Sequence, residues 1–215
     1  MNSNLNQRSI VESLKQMKNL ISMVNVRSVQ KHFEDVKVDH TLLSADIICL
    51  VETWITDKHA HEYQLKDYRM FHASVGHGKG CIIYVANDKK STFIEAIVKP
   101  NYQILSILYC QKIQVTLMYL SQNQKNNTDL IDSLELLWNP NHHHILLGDM
   151  NYDMGEKSKL SDYLQSKSMT QNVKKPTHVE GRIIDHCYTS SNLGKCQWKL
   201  FSPYYTDHKG LLIDF

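Results

Sequence analysis

The sequence lacks any apolar run long enough to cross a membrane. No stretch approaches the roughly 20 consecutive apolar residues that a bilayer-spanning helix needs. The N-terminal segment holds no continuous apolar stretch either, so no secretory signal is expected. We therefore expect a protein without a membrane partner that acts inside the cell, in the nucleus or the cytoplasm.

Paired cysteine motifs are also missing. The 5 cysteines form no C-x-x-C pair, and their number is odd. Three of them, Cys49, Cys81 and Cys110, lie in apolar runs that are typical of strands. This pattern predicts small, buried, reduced thiols.

No sign of charge dominates the chain. Its 24 Lys and Arg residues face 22 Asp and Glu residues, which leaves a net charge of +2. Bulk charge therefore identifies no partner, and any nucleic-acid surface has to come from local clustering. With 42% hydrophobic and 21% charged residues, the chain is not disordered throughout. Its 215 residues suit a single domain, in which residues 1–19 would form an N-terminal helical extension.

Strand patterns outnumber helical patterns, and many of them are consecutive. Ile10, Leu14 and Met17 are spaced as in a short amphipathic helix. Further helices are predicted over residues 29–43, 128–138, with Thr128 as the cap, and 157–166. Strands are predicted over residues 20–26, 47–51, 68–73, 80–86, 92–98, 103–110, 113–120, 144–147, 182–189, 196–201 and 210–215. This order indicates an α/β protein in which two sheets pack face to face under helices.

Short polar clusters stand at the ends of several apolar strands. Their key members are Asn25, Glu52, the Asp149-Met150-Asn151 run, Asp185 and the Asp207-His208 pair. Any one cluster alone would be interpreted as a solvated strand end. Five clusters that can converge at one rim favour a functional site, because ligands bind where strand ends meet.

The residue types in these clusters suit a hard cation and a phosphate. Carboxylate and amide oxygens, with no cysteine among them, select Mg²⁺ or Mn²⁺ over Zn²⁺. An Asp-x-Asn pair such as Asp149 and Asn151 can hold an attacking water. An Asp–His pair can keep an imidazole oriented or charged beside a developing phosphorane.

In this order the elements resemble the endonuclease/exonuclease/phosphatase superfamily, which includes DNase I, exonuclease III-type apurinic endonucleases and the endonuclease domains of non-LTR retrotransposons. The resemblance rests on Asn25, Glu52, Tyr119, Gly148-Asp149-Met150-Asn151, Asp185 and Asp207-His208. The runs at residues 25–28, 50–54 and 176–181 are most similar to the retrotransposon-type branch. The resemblance implies a four-layer α/β sandwich, DNase I-like, with two packed mixed β-sheets flanked by helices and the site at one end of the sheets.

The resemblance also implies a cation site. Glu52 would be the principal metal ligand, helped by Asn25, and Asp207 would lie near the metal and the phosphate. Mg²⁺ or Mn²⁺ is the implied cofactor. Arg27 stands where apurinic endonucleases carry an Asp, which argues against a second acidic metal site.

The remaining residues receive catalytic roles from the same resemblance. Asp149 would orient or deprotonate the water that Asn151 positions, and His208, paired with Asp185, would contact the scissile phosphate. Tyr119 would approach the phosphate or the leaving oxygen, although its spacing fits a core aromatic almost equally well.

Two further departures from the family bear on its activity. Residues 182–184 replace the Trp that packs an abasic sugar in apurinic enzymes, so abasic specificity is not expected. Thr206 replaces the usual Ser before Asp-His and keeps the hydroxyl.

Three other features have simpler interpretations than a site. The glycine-rich residues 76–80 lead into a strand and predict a turn rather than a phosphate loop. The histidines at 142–144 are expected to be a solvated lead-in to a strand. Trp54 is expected to be buried support for Glu52, and Lys174-Lys175 could contact a DNA backbone.

The expected function is a metal-dependent phosphodiesterase, acting as a monomeric DNA endonuclease on duplex DNA and leaving a 3′-hydroxyl and a 5′-phosphate. Two alternatives stay open. One is hydrolysis of RNA or of a smaller phosphate ester by the same type of site. The other is a catalytically silent domain that binds DNA or a protein partner.

Overall fold

The computed structural model describes residues 19–215, and its strands follow the predicted pattern closely. They are β1 (Leu20–Asn25), β2 (Ile47–Val51), β3 (Tyr68–Ala73), β4 (Cys81–Ala86), β5 (Ser91–Lys99), β6 (Tyr102–Tyr109), β7 (Ile113–Leu120), β8 (His143–Asp149), β9 (Met169–Gln171), β10 (Asp185–Ser190), β11 (Gln197–Phe201) and β12 (Gly210–Asp214). The helices are α1 (Val29–Val38), α2 (Thr128–Leu137) and α3 (Lys159–Ser166). The predicted helix at residues 10–17 lies outside the described residues.

The strands form two six-stranded sheets. Their strand orders are β11-β12-β1-β2-β4-β3 and β5-β6-β7-β8-β10-β9. The pairs β1–β2 and β7–β8 are parallel, and the other pairs are antiparallel, so both sheets are mixed. A parallel pair needs a crossover connection, which α1 supplies in the first sheet and α2 in the second.

The hydrophobic core lies between the two sheets. Ile21, Cys49 and Ile83 from the first sheet pack with Leu117 and Ile145 from the second, and all five are fully buried. The outer faces are covered by helices: α1 packs on the first sheet, whereas α2 and α3 pack on the second. The predicted α/β sandwich is therefore confirmed.

Side-chain caps explain where the helices begin and end. The Ser28 hydroxyl accepts a hydrogen bond from the Lys31 N–H, and Asn127, rather than the predicted Thr128, caps α2. Helix α1 ends at Val38, earlier than predicted, because the Asp39 carboxylate accepts the N–H groups of the next turn. That turn is a short 3₁₀ helix, Leu42–Ser44.

Two predictions about individual side chains are wrong. Cys110 is exposed, because it lies in the tight turn that joins β6 to β7, although Cys49 and Cys81 are buried free thiols as predicted. His144 is buried rather than solvated, with its ring stacked 3.7 Å from the ring of Trp138. Burial also lowers the pKa of His144. The expected turn at residues 76–80 is confirmed.

Among residues 19–215, no helix has both the length and the apolar character required to span a bilayer. The helices α1, α2 and α3 have 10, 10 and 8 residues.

Gly148 sits where no side chain fits. Its φ is +148°, and a Cβ atom there would lie 1.8 Å from the carbonyl oxygen of Met118 on the neighbouring strand. We expect Gly148→Ala to lower the free energy of unfolding by about 3 kcal/mol or more, because either strand must move. Urea unfolding followed by circular dichroism measures this loss.

Gly155→Ala is the matched control, since a Cβ there meets nothing within 4 Å. It should change the unfolding free energy by no more than about 0.5 kcal/mol. Equal stability of the two variants would contradict the close approach of β7 and β8 at Gly148.

Candidate active site

The register of the second sheet places three predicted site residues side by side. Tyr119 on β7 pairs with Asp149 on β8, and Asp149 pairs with Asp185 on β10. In the first sheet, Asn25 is the last residue of β1, and Glu52 directly follows β2. The site therefore forms at one end of the sandwich, where the ends of strands from both sheets meet.

Asn25 joins the two sheets at this end. Its side-chain nitrogen donates to Glu52 Oε1 at 3.0 Å and to Asp149 Oδ2 at 2.8 Å. The side-chain oxygen accepts from the backbone N–H of Arg27 at 3.1 Å, and the residue is fully buried. In this arrangement Asn25 holds two carboxylates next to each other through its nitrogen, whereas its oxygen already has a donor.

Asp149 is held on both of its oxygens. Besides the bond from Asn25, its Oδ1 accepts from the backbone N–H of Asn151 at 2.9 Å. The Asn151 side chain is itself fixed, because its nitrogen donates to the Leu120 carbonyl at 2.8 Å. Burial, together with the nearby Asp185 carboxylate, raises the pKa of Asp149 well above its ordinary value. Two fixed donors therefore orient the Asp149 carboxyl group inside the pocket.

Asp185 and His208 form the buried ion pair that the sequence predicts. His208 Nδ1 lies 2.9 Å from Asp185 Oδ2, and both side chains are buried. Burial alone would lower the pKa of His208, but the hydrogen bond and charge of Asp185 outweigh it and raise the pKa to about 9. The imidazole therefore carries a positive charge at neutral pH.

Asp207 is held by an arginine and by neighbouring histidines. Its Oδ2 is 2.6 Å from the Arg27 guanidinium and 3.5 Å from His178 Nε2. Burial would raise the pKa of Asp207, but Arg27 and the neighbouring histidines keep it below the ordinary value. A shared cation between Asp207 and Glu52 stays a prediction.

Tyr119 is nearly buried beside the carboxylates. It is 7% exposed, and burial together with the charges of Glu52 and Asp149 raises the pKa of its hydroxyl above the usual range. The hydroxyl therefore stays protonated and can act as a hydrogen-bond donor in the pocket.

The pocket suits a divalent cation. Four carboxylates, from Glu52, Asp149, Asp185 and Asp207, outnumber the positive groups of Arg27 and His208. Within the described part of the chain, the buried oxygens Asp185 Oδ1 and Asp207 Oδ1 have no hydrogen-bond partner. Buried oxygens without donors are costly, and a hard cation satisfies them.

A family model of the Endonuclease/Exonuclease/phosphatase family matches residues 2–208. The chain belongs to this family. The family's enzymes hydrolyse phosphate esters, typically with divalent metals. No curated protein has a sequence that matches the chain significantly.

Solved structures share the fold at low sequence identity. The endonuclease domain of TRAS1, a telomere-specific non-LTR retrotransposon, is 14% identical, with a TM-score of 0.68 over 91% of this chain and 97% of that one. An AP endonuclease from Archaeoglobus fulgidus is 15% identical, with a TM-score of 0.69 over 92% and 99%. The 3′ phosphatase NExo from Neisseria, bound to product DNA hairpin, is 14% identical, with a TM-score of 0.69 over 92% and 99%.

Sequence reasoning gave no role to two residues of the segment before β10. Thr177 is fully buried, and its hydroxyl accepts the backbone N–H groups of Ile184 and Asp185 at 3.2 and 3.1 Å. The ring of His178 packs edge-on against that of His208, with 4.9 Å between centroids. The only available signal was the run at residues 176–181, which carried the family resemblance without any assigned chemistry.

Trp54 is half-buried, and it contacts a side chain that the sequence did not suggest. Its indole ring lies 4.2 Å from the imidazole of His77, centroid to centroid. Its backbone N–H donates to the Lys79 carbonyl at 2.8 Å. These contacts hold the segment that follows Glu52 against the loop before β4, so Trp54 supports the site from its edge. Lys174 and Lys175 are exposed, and their contact with DNA stays a prediction.

The Thr177 hydroxyl should be essential for placing Asp185 in this family member. We expect Thr177→Val to lower the free energy of unfolding by about 2–4 kcal/mol, because two buried N–H groups lose their acceptor. Thr177→Ser keeps the oxygen and should lose less than about 1 kcal/mol. Chemical unfolding of both variants measures the difference, and equal losses would mean that packing, rather than the hydroxyl, holds the segment.

Proposed function

We propose that this chain is a Mg²⁺- or Mn²⁺-dependent DNA endonuclease that hydrolyses the backbone of duplex DNA to a 3′-hydroxyl and a 5′-phosphate. The observation that carries the proposal is the Asn25 bridge. It holds Glu52 and Asp149 in one pocket with the buried Asp185–His208 pair. Such a pocket offers a cation site, a proton acceptor and a positive charge around a single phosphate.

Glu52 would be the principal ligand of the cation, with Asn25 and Asp207 as the further ligands that the family resemblance implies. Asn25 would bind it through its oxygen, which here accepts from the Arg27 N–H, whereas its nitrogen faces the carboxylates. When bound, such a cation would neutralise part of the phosphate charge and lower the pKa of a bound water molecule. Its ligand atoms in this chain would be side-chain oxygens, and they lie where strands of both sheets end. Oxygen is the ligand type that Mg²⁺ and Mn²⁺ prefer.

The chain's own groups would carry the proton and the negative charge. Asp149 would accept the proton of the attacking water, since two fixed donors orient its carboxylate. Asn151 lies directly beside it and would position that water. His208, kept cationic by Asp185, would bind a non-bridging phosphate oxygen, and Tyr119 would donate to the phosphate or the leaving oxygen. We expect no covalent intermediate, because the predicted site contains no serine or cysteine.

DNA is the proposed substrate for two reasons. The runs at residues 25–28, 50–54 and 176–181 resemble retrotransposon-type endonucleases, and the structural relatives include an endonuclease domain of that type. A second relative is a 3′ phosphatase bound to a DNA hairpin, which keeps phosphate release from DNA ends as the second candidate.

We further propose that the protein acts as a monomer inside the cell, in the nucleus or the cytoplasm.

Nicking of a supercoiled plasmid tests the proposed activity. We expect nicking with Mg²⁺ or Mn²⁺, none with a chelator, and a loss of at least about 100-fold in Asp149→Asn and in His208→Ala. Asp132→Asn and His61→Ala, at exposed positions, are matched controls that should keep wild-type rates. Phosphate release from DNA ends without nicking would favour the phosphatase, and an inert protein that still shifts duplex DNA would favour a binding module.

Thermal unfolding tests the cation site without any substrate. At about ten times its dissociation constant, Mg²⁺ or Mn²⁺ should stabilise the fold by about 1.4 kcal/mol, which corresponds to a rise in Tm of about 3–6 °C. Glu52→Gln should abolish most of this rise, because it removes the principal ligand charge. Glu34→Gln changes an exposed glutamate on α1 and should leave the rise unchanged. An undiminished rise in Glu52→Gln would place the cation elsewhere.

A further inference from the structure

Three side chains form a second group of metal-ligand type at the border of the pocket. His178, Asp207 and His208 each present one ligand atom, and these atoms all lie within 4.8 Å of one another. His178 Nε2 is 3.5 Å from Asp207 Oδ2, and His208 Nε2 is 4.0 Å from Asp207 Oδ1. Two imidazole nitrogens and one carboxylate differ in kind from the oxygen donors around Glu52.

The ligand types of this group fit a tetrahedral ion. Zinc binds imidazole nitrogen and carboxylate oxygen at about 2.0–2.2 Å, which places its ligand atoms about 3.3 Å apart. The separations of 3.5 and 4.0 Å are longer than this value and run from the two imidazoles to different oxygens of Asp207. Zinc binding would therefore require side-chain rotations that bring both nitrogens and one Asp207 oxygen onto a single ion. Two histidines with one carboxylate and an open position are a ligand set typical of zinc.

A second observation points to a missing ligand at the same place. Asp207 Oδ1 is buried and has no hydrogen-bond partner among the described residues. The Nε2 atom of His208 lies 4.0 Å from it, too far for a hydrogen bond. The other oxygen of the same carboxylate binds Arg27. A buried carboxylate oxygen without a donor is unfavourable, so a cation between it and the two imidazoles would satisfy it.

One of the two histidines, His208, already has the outer partner that zinc ligands use. Asp185 Oδ2 holds His208 Nδ1 at 2.9 Å, which turns Nε2 toward Asp207. His178 Nδ1 instead accepts the backbone N–H of Glu180 at 3.3 Å, and the Glu180 carboxylate lies 3.7 Å from the same nitrogen. Zinc binding at Nε2 would therefore move the ring proton to Nδ1, on the side of the Glu180 carboxylate. A carboxylate behind a ligating imidazole fixes its ring and strengthens its binding to the metal.

We propose that His178, Asp207 and His208 form a binding site for Zn²⁺ that shares only Asp207 with the proposed Mg²⁺ or Mn²⁺ site, and that zinc bound there inhibits the enzyme. Binding releases the proton from Nε2 of His208 and occupies that nitrogen, so the imidazole no longer offers its N–H and positive charge to the phosphate. The inhibition rests on the proposed function, whereas the binding does not. Arg27 is the competing cation, but its side chain is 53% exposed, and exposed ion pairs are weak.

Calorimetric titration with ZnCl₂, in the presence of excess Mg²⁺, tests the binding. We expect one zinc ion to bind per chain in the presence of Mg²⁺. His178→Ala should weaken the affinity of the protein for zinc at least about tenfold, because one of three ligands is lost. The matched control is His59→Ala, an exposed histidine that also lies beside a glutamate, Glu62. It should bind zinc as the wild type does.

Cobalt substitution adds a spectroscopic measurement. Co²⁺ in a tetrahedral site of nitrogen and oxygen ligands gives intense visible absorption, which His178→Ala should lose. Should circular dichroism show that His178→Ala is unfolded, His178→Gln takes its place, because it keeps a polar side chain of similar length. Equal zinc affinity in the wild type and a folded His178 variant would overturn the proposal, as would displacement of the zinc by Mg²⁺.

Plasmid nicking in Mg²⁺ with added zinc tests the inhibition. The rate of each protein is compared with its own rate without zinc, and His178→Ala should need at least about tenfold more zinc for half-inhibition than the wild type. Equal sensitivity of the two proteins would overturn the inhibitory site. If the wild type does not nick DNA in Mg²⁺, the proposed function fails, whereas the titration still decides whether zinc binds at His178.

Discussion

The site depends on one hydrogen-bonded side chain, the amide of Asn25. Two carboxylates of like charge, Glu52 and Asp149, come from different sheets and repel each other. A single buried NH₂ group donates to both of them, at 3.0 and 2.8 Å. Because Asn25 ends β1 and Asp149 ends β8, this contact also fixes how the two sheets meet at that end. Packing between the sheets and the chemistry of the pocket therefore depend on each other.

The backbone is strained where the pocket forms. Arg27, Glu52, Trp54 and Asn151 all have positive φ, between 45° and 58°, although none is glycine. Such conformations are unfavourable for these residues and persist only where surrounding contacts impose them. They turn the chain sharply after β1, β2 and β8, so that the polar side chains point into the pocket instead of continuing along the strands.

Much of the fold could be predicted from residue patterns, because uninterrupted apolar runs indicate strands that are buried on both faces. Strand β7 has the predicted bounds, and β8 extends the predicted run by one residue at its start and by two at its end, to Asp149. The three-residue strand β9 was missed, since so short a strand has no periodicity to detect. The exposed Cys110 and the buried His144 were mispredicted because local pattern does not report a turn or a distant stacking partner.

By itself, the sequence determined the order of the strands, the polar residues at their ends and the hard-oxygen character of those residues, because all of these depend on local patterns. Only the tertiary structure decided which of the polar groups pair. It joined Asp207 to Arg27 and His178, and it turned the Asn25 nitrogen, not its oxygen, toward the carboxylates. The contact between Arg27 and Asp207, which lie 180 positions apart, follows from the tertiary packing, which no local stretch of sequence encodes.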